Sequence, residues 1–177
     1  MKVVSNAGPL IALGKLGQLG LLLRLHDEVV VPREVYNEVV VSGLRLGAPE
    51  AEAVDYLVQQ EHIRVIDVSI PSSSLPAWAG AIDVGEAQVI LLGQQLKADW
   101  VLIDNLHARR AARQVGLPLK GTVGLLLDAF RRGHLSLPEF ELLIQNIKAQ
   151  PSLWIAESLC DRALAQARAE TREARSS

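Results

Sequence analysis

Four oxygen-bearing side chains, Asn6, Glu38, Glu86 and Asp104, stand at points in the sequence where a parallel sheet usually carries out chemistry. Asn6 ends a short apolar run, Lys2 to Ser5. Asp104 closes a second run, Trp100-Val101-Leu102-Ile103, bounded tightly enough to suit a central strand covered on both faces. Strand ends of a parallel sheet share one edge, and ligands bind outside those carboxyl ends. Glu38 lies one helical turn after Glu34, in a helix entered directly from a strand. Glu86 falls in the first turn of its own helix, with Asp83 three residues earlier on the same face. Carboxylates framing one cleft raise one another's pKa. A divalent cation removes that penalty. Mg²⁺ takes oxygen ligands, typically one or two carboxylates, and keeps several waters. In such a site it can activate water and stabilise charge on a phosphodiester. With four histidines and one cysteine in the chain, zinc has little support.

Each of these residues also has a purely structural use. Asp83-Val84-Gly85-Glu86 is an acidic capping-box pattern. Asn6 and Asp104 suit helix N-caps, and Glu38 suits a solvated helix surface. On the residues alone both uses stand open. The cations after Asp104, Arg109, Arg110 and Arg113, with Arg131-Arg132 later, suit phosphate contacts or a solvated face. His107 reads as a surface residue.

The elements that must position these groups alternate along the chain. Strands are expected at Lys2–Ser5, Glu28–Val31, Ile63–Val68, Trp100–Ile103 and just before Gly121. Between them lie a Leu-rich segment to Leu25, broken among Gly14, Gly17 and Gly20, and helices over 33–41, 49–60, 83–96 and 105–115. Ser42-Gly43 should end the helix that carries Glu38. Thr122 suits an N-cap for 123–132, and Ser136 to Glu139 a capping box with Pro138 inside. Pro71 to Pro76 reads as a flexible loop, and the nearby Trp78 as a packed anchor or a lid. This alternation predicts an α/β fold with a mostly parallel sheet and helices on both faces. Residues 1–150 should form that domain, and 151–177 a helical extension packed on it, helical to about Glu170 and frayed beyond.

Composition bounds the rest. The 177 residues are 49% hydrophobic and 21% charged, an ordinary globular mixture. A formal net charge of -2 argues against a coat of basic charge, though not against a local basic patch. Cys160 alone forms no internal disulfide and suits core packing in a reducing cytoplasm. Leu10 to Leu25 is too short and too interrupted for a membrane span, and it lacks a basic leader and cleavage site. Gly8-Pro9 after the first strand is neither a Walker loop nor a dinucleotide fingerprint, so a nucleotide-binding domain has little to stand on.

Five stretches, taken in order, resemble the PIN-domain superfamily of Mg²⁺-dependent ribonucleases, and more narrowly a prokaryotic branch of nucleic-acid-binding, toxin-like PIN proteins. They are Val4-Ser-Asn-Ala-Gly-Pro-Leu-Ile11, Val31-Pro-Arg-Glu-Val-Tyr-Asn-Glu38, Asp83-Val-Gly-Glu-Ala87, Leu102-Ile-Asp-Asn-Leu-His-Ala-Arg109 and Gly121-Thr122. The resemblance implies a three-layer α/β/α fold. It implies that Glu38, Glu86 and Asp104 hold Mg²⁺ or Mn²⁺, with Asn6 in the place of the family's first acid. Asn105 stands where a second Asp often follows. Asp83, Asn105, Thr122 and Ser5 would support the metal, the water or the substrate, and Arg109 lies inside the matching stretch. The implied activity is hydrolysis of single-stranded RNA in the cytoplasm, as the toxin of a toxin–antitoxin pair and as a homodimer. The alternative is a PIN-like module that binds RNA or protein without cutting, because Asn6 and Asn105 are neutral.

Overall fold

A computed structural model describes residues 1–69, 80 and 82–176. The loop expected at 71–76 and Trp78 lie outside the described residues. The strands are β1 (Lys2–Ser5), β2 (Glu28–Pro32), β3 (Ile63–Ile66), β4 (Trp100–Leu102) and β5 (Leu119–Lys120). They form one five-stranded sheet in the order β3-β2-β1-β4-β5, with every pairing parallel. Val3, Val4, Val30, Val101 and Leu102 are almost wholly buried, as strands covered on both faces require. The helices complete a three-layer α/β/α architecture. Helix α6 (Val84–Gln95) lies against β1, β2 and β4, while α1 (Ala7–Lys15) packs with α5 (Pro49–Gln59) and α8 (Thr122–Arg131).

The strand order has a direct consequence. The chain winds from β1 outward to β3, then returns to place β4 on the other side of β1. The two loops leaving β1 and β4 therefore diverge and open a crevice at their carboxyl ends, the usual ligand position in an open α/β sheet. Asn6 and Asp104 sit in those two loops.

The broken Leu-rich segment forms α1 and α2 (Gly20–Leu25), separated at Gly17, whose φ of +66° few other residues adopt at low cost. Leu10, Leu13, Leu21, Leu22 and Leu25 all join the core. Ser42-Gly43 does not end the next helix. The chain runs through α3 (Arg33–Tyr36), a π-helical segment at Asn37–Ser42 and α4 (Gly43–Arg45). Gly43 keeps a right-handed helical backbone, and its missing side chain makes room for Ala51: a Cβ there would lie 2.7 Å from that methyl. This glycine serves helix contact rather than termination.

After β4 come α7 (Leu106–Gln114), then β5, α8 and α9 (Leu137–Lys148). The expected Ser136–Glu139 capping box forms in full at the start of α9. Thr122 is not the N-cap of α8; Gly121 is, and Thr122 is its first residue. A short 3₁₀ turn at Pro151–Leu153 leads to α10, Glu157–Ser176. Helix α10 packs on α8 and α9, and its helical backbone continues past Glu170 to Ser176. Cys160, Ala163 and Ala167 are buried, and Glu170 accepts from the Arg131 guanidinium at 2.6 Å and 3.1 Å. Cys160 is a core residue whose thiol is pushed up by burial. No described helix is long and apolar enough to cross a membrane.

Candidate active site

The crevice between the β1 and β4 loops is a cavity of about 400 Å³. Asn6, Glu38, Asp83, Glu86, Asp104 and Asn105 all line it. Asn6 occupies the N-cap position of α1, yet its side chain makes no capping hydrogen bond. Its backbone N–H donates to Leu102 O at 2.9 Å and ties the end of β1 to the end of β4. Ser5 is fully buried behind it and donates its hydroxyl to Asn6 O at 3.0 Å.

Asp104 is fixed at both oxygens by one residue. Thr122 donates its backbone N–H to Oδ1 at 2.8 Å and its hydroxyl to Oδ2 at 2.6 Å. The carboxylate is thus anchored to the start of α8, whose N-terminal end favours negative charge. Gly121 lets the backbone approach it, whereas a side chain at Gly8 would make only ordinary contact. A Cβ on Gly8 would lie 3.7 Å from Oδ2, and one on Gly121 would come within 2.7 Å of Oδ1. Burial raises the Asp104 carboxyl, while the Thr122 bonds and the Arg109 charge oppose that rise.

Glu38 enters from the π segment and Glu86 from the first turn of α6. An inserted π turn shifts the face on which its residues emerge, and such insertions recur at functional sites. Glu86 is buried, whereas Glu38 keeps much exposed surface with its carboxyl only partly shielded. Both carboxyls are raised, first by loss of water and then by Asp83. Glu34 adds to the rise at Glu38, and Glu38 adds to it at Glu86. Asp83 caps α6: its Oδ1 accepts from Glu86 N–H at 2.7 Å, and Glu86 Oε2 accepts from Asp83 N–H at 3.3 Å. The capping-box reading of this pair therefore holds, and the same two carboxylates also face the cavity.

A family model described as a PIN domain matches residues 2–169. The chain belongs to the PIN-domain family. No curated protein and no solved structure matches it. PIN domains are nuclease-type folds that engage nucleic acid and typically use a divalent metal.

The donor set of this PIN domain fits such an ion in kind. Its acids and its one free amide offer oxygen, the ligand of hard cations. Among the described residues, no three His, Cys, Asp or Glu side chains are gathered into a ready ligand cluster. The acids line a common space without forming such a cluster. A cation that takes one or two carboxylates and fills its remaining positions with water asks no more of them.

The supporting residues divide. The Asn105 side-chain oxygen accepts from His107 N–H at 2.8 Å and Ala108 N–H at 3.2 Å, so this residue caps α7. Thr122 acts on the cavity through Asp104, and Ser5 through the Asn6 backbone. Arg109 is half-buried and donates to Ile103 O at 2.7 Å, bracing the end of β4. Arg113 lines an adjoining groove, whereas Arg110 is exposed and lines neither space. Sequence reasoning missed Ser152, Leu153 and Trp154, which wall the acid cavity from the far end of the chain. Their only local signal is the helix-breaking Pro151 before them.

Proposed function

We propose that this PIN domain is a metal-dependent endoribonuclease that hydrolyses phosphodiester bonds of single-stranded RNA. One observation carries the reading: Asn6, Glu38, Glu86 and Asp104, drawn from four separate elements, line one cavity at the crevice of the sheet. Glu38, Glu86 and Asp104, with Asn6, would hold Mg²⁺ or Mn²⁺. The ion supplies a Lewis acid for water activation and for charge on the phosphate. The chain's own residues orient and tune that site. Thr122 hydrogen-bonds both Asp104 oxygens and fixes the orientation of the carboxylate. Burial first, and then the Asp83 charge, raise Glu38 and Glu86, and a cation there would favour their charged forms. Ser152 on the cavity wall has the Lys15 ammonium at 3.3 Å, and an ammonium gives a hydroxyl no base to become a nucleophile.

The same reading extends to a cytoplasmic toxin of a toxin–antitoxin pair acting as a homodimer. It is tested by growth arrest on induction, relieved by a neighbouring gene product, and by the mass of the protein in solution. Asn6 favours a second reading, a PIN-like binding module with weakened catalysis, because a neutral amide replaces an acid. Cleavage of a mixed single-stranded RNA decides between them. Cutting with Mn²⁺ or Mg²⁺ that EDTA and Asp104→Ala both abolish supports the nuclease. Cutting that survives Asp104→Ala refutes this site. No cutting by the wild type, with cutting gained in Asn6→Asp, supports the weakened module.

A further inference from the structure

A groove of about 780 Å³ opens beside the acid cavity and shares Asp104, Asn105 and Trp154 with it. Its cationic lining is Arg109, Arg113, Lys120, Arg131 and Arg162, against Asp104 and Asp128. Lys120 pairs with Asp128, and Arg131 with Glu170. Arg113 and Arg162 are exposed and have no carboxylate partner among the described residues. The chain as a whole has net charge -2, so this groove is a local basic patch on a mildly acidic molecule. Trp154 stands where the groove meets the acid cavity. It is 91% exposed, and its backbone is left-handed at φ +50°. A bulky residue rarely takes that conformation. Here it ends the 3₁₀ turn and leaves the indole in solvent between the two spaces.

Leading on from the nuclease reading, we propose that this groove is the track of a single-stranded nucleic acid, in which Trp154 stacks a base and Arg113 and Arg162 hold flanking phosphates. Single-strand tracks combine a positive groove with aromatic platforms, because every base has a stacking face whatever its sequence. A strand so held would pass the acid cavity at Asp104, the residue common to both walls. Trp154 is a positioning residue in this scheme, and Arg113 and Arg162 supply the salt-dependent part of the affinity. A protein partner with an acidic segment is the competing occupant. The stacking face and the continuity with the acid cavity favour RNA.

The test is binding of a labelled oligoribonucleotide of about ten residues, read by anisotropy in EDTA so that no strand is cut. Trp154→Ala should weaken binding about tenfold, the loss of one stacked base, and Trp154→Phe should recover most of it. Arg113→Ala and Arg162→Ala should each flatten the salt dependence by about one counterion. Trp100 also lines the groove, so the oligonucleotide should quench indole emission in the wild type and clearly less in Trp154→Ala. The exposed side chain leaves the core untouched, so an unchanged Tm certifies the variant. Equal binding by wild type and Trp154→Ala, or a quench undiminished in that variant, would overturn the proposal and leave the surface to a protein partner. Failure of the nuclease reading looks different: RNA would bind with these same dependences and would not be cut in Mn²⁺.

Discussion

Asp104 is a carboxylate whose two oxygens answer to one neighbour, so its orientation depends on Thr122. Thr122→Val keeps the shape and removes only the 2.6 Å hydroxyl bond to Oδ2. Loss of a group that orients a metal-site acid should lower activity about 10- to 100-fold, measured as kcat/KM at saturating Mn²⁺. Gly121→Ala attacks the same carboxylate sterically, since its methyl would sit 2.7 Å from Oδ1. It should cost about 1–3 kcal/mol of stability as an overpacked site, read by denaturant unfolding, and should reduce activity as well. Glu86 carries the pH prediction. Its carboxyl is raised in the folded protein above the ordinary 4.5, so the native state holds its proton to higher pH than the unfolded chain does. Stability from this group therefore falls as pH climbs through that window, and the charged form is a burden at neutral pH. Glu86→Gln, which can still close the capping box, should raise Tm at pH 7 and make no difference below pH 4.5. Tm against pH for both proteins checks it. At this scale the positions of Asn6, Asp104 and Glu86 were legible because strand ends and first helical turns are visible in sequence, while their use stayed open and Glu38 had no such mark. What Asn105 does was not legible. A short amide suits a cap and a ligand alike, and only the fold shows its oxygen already taken by two backbone N–H groups.

The elements differ in how far their function can be separated from their stability. Helix α9 begins with a capping box remote from the cavity. Ser136→Ala should cost about 1 kcal/mol, lowering Tm by about 2–4 °C for a chain of this length, with kcat/KM unchanged. The capping box of α6 cannot be treated so, because Asp83 and Glu86 also line the cavity. Strands and most helices could be read from apolar runs and caps. The helix carrying Glu38 was misjudged because Ser42-Gly43 is a stop signal only where the glycine ends in solvent. Packed against Ala51, Gly43 lets the chain stay helical. The π segment had no sequence mark at all. Helix α10 is seated on α8 and α9 by Cys160, Ala163 and Ala167, small residues at helical spacing whose partners no local pattern names.

For the whole molecule, the decisive feature is the strand order, which brings the β1 and β4 loops side by side although nearly a hundred residues of chain separate Asn6 from Asp104. Alternation of strands and helices foretold the parallel sheet, and the ordered stretches foretold the family. The wall at Ser152–Trp154 was hidden because nothing in a local pattern says that a turn near the carboxyl end folds back over the first strand's loop. A divalent ion bound in the cavity should stabilise the native state by mass action. Millimolar Mg²⁺ or Mn²⁺ should therefore raise the Tm of the wild type and have little effect on Asp104→Ala. The central claim is that carboxylates from different elements act as a single site, and a double-mutant cycle on RNA cleavage tests it most directly. Glu86→Gln and Asp104→Asn should each cut kcat/KM steeply, and the double variant should be scarcely worse than the poorer single one, as groups working as a unit behave. Losses that simply multiply, or single variants that cut RNA at the wild-type rate, would contradict the account.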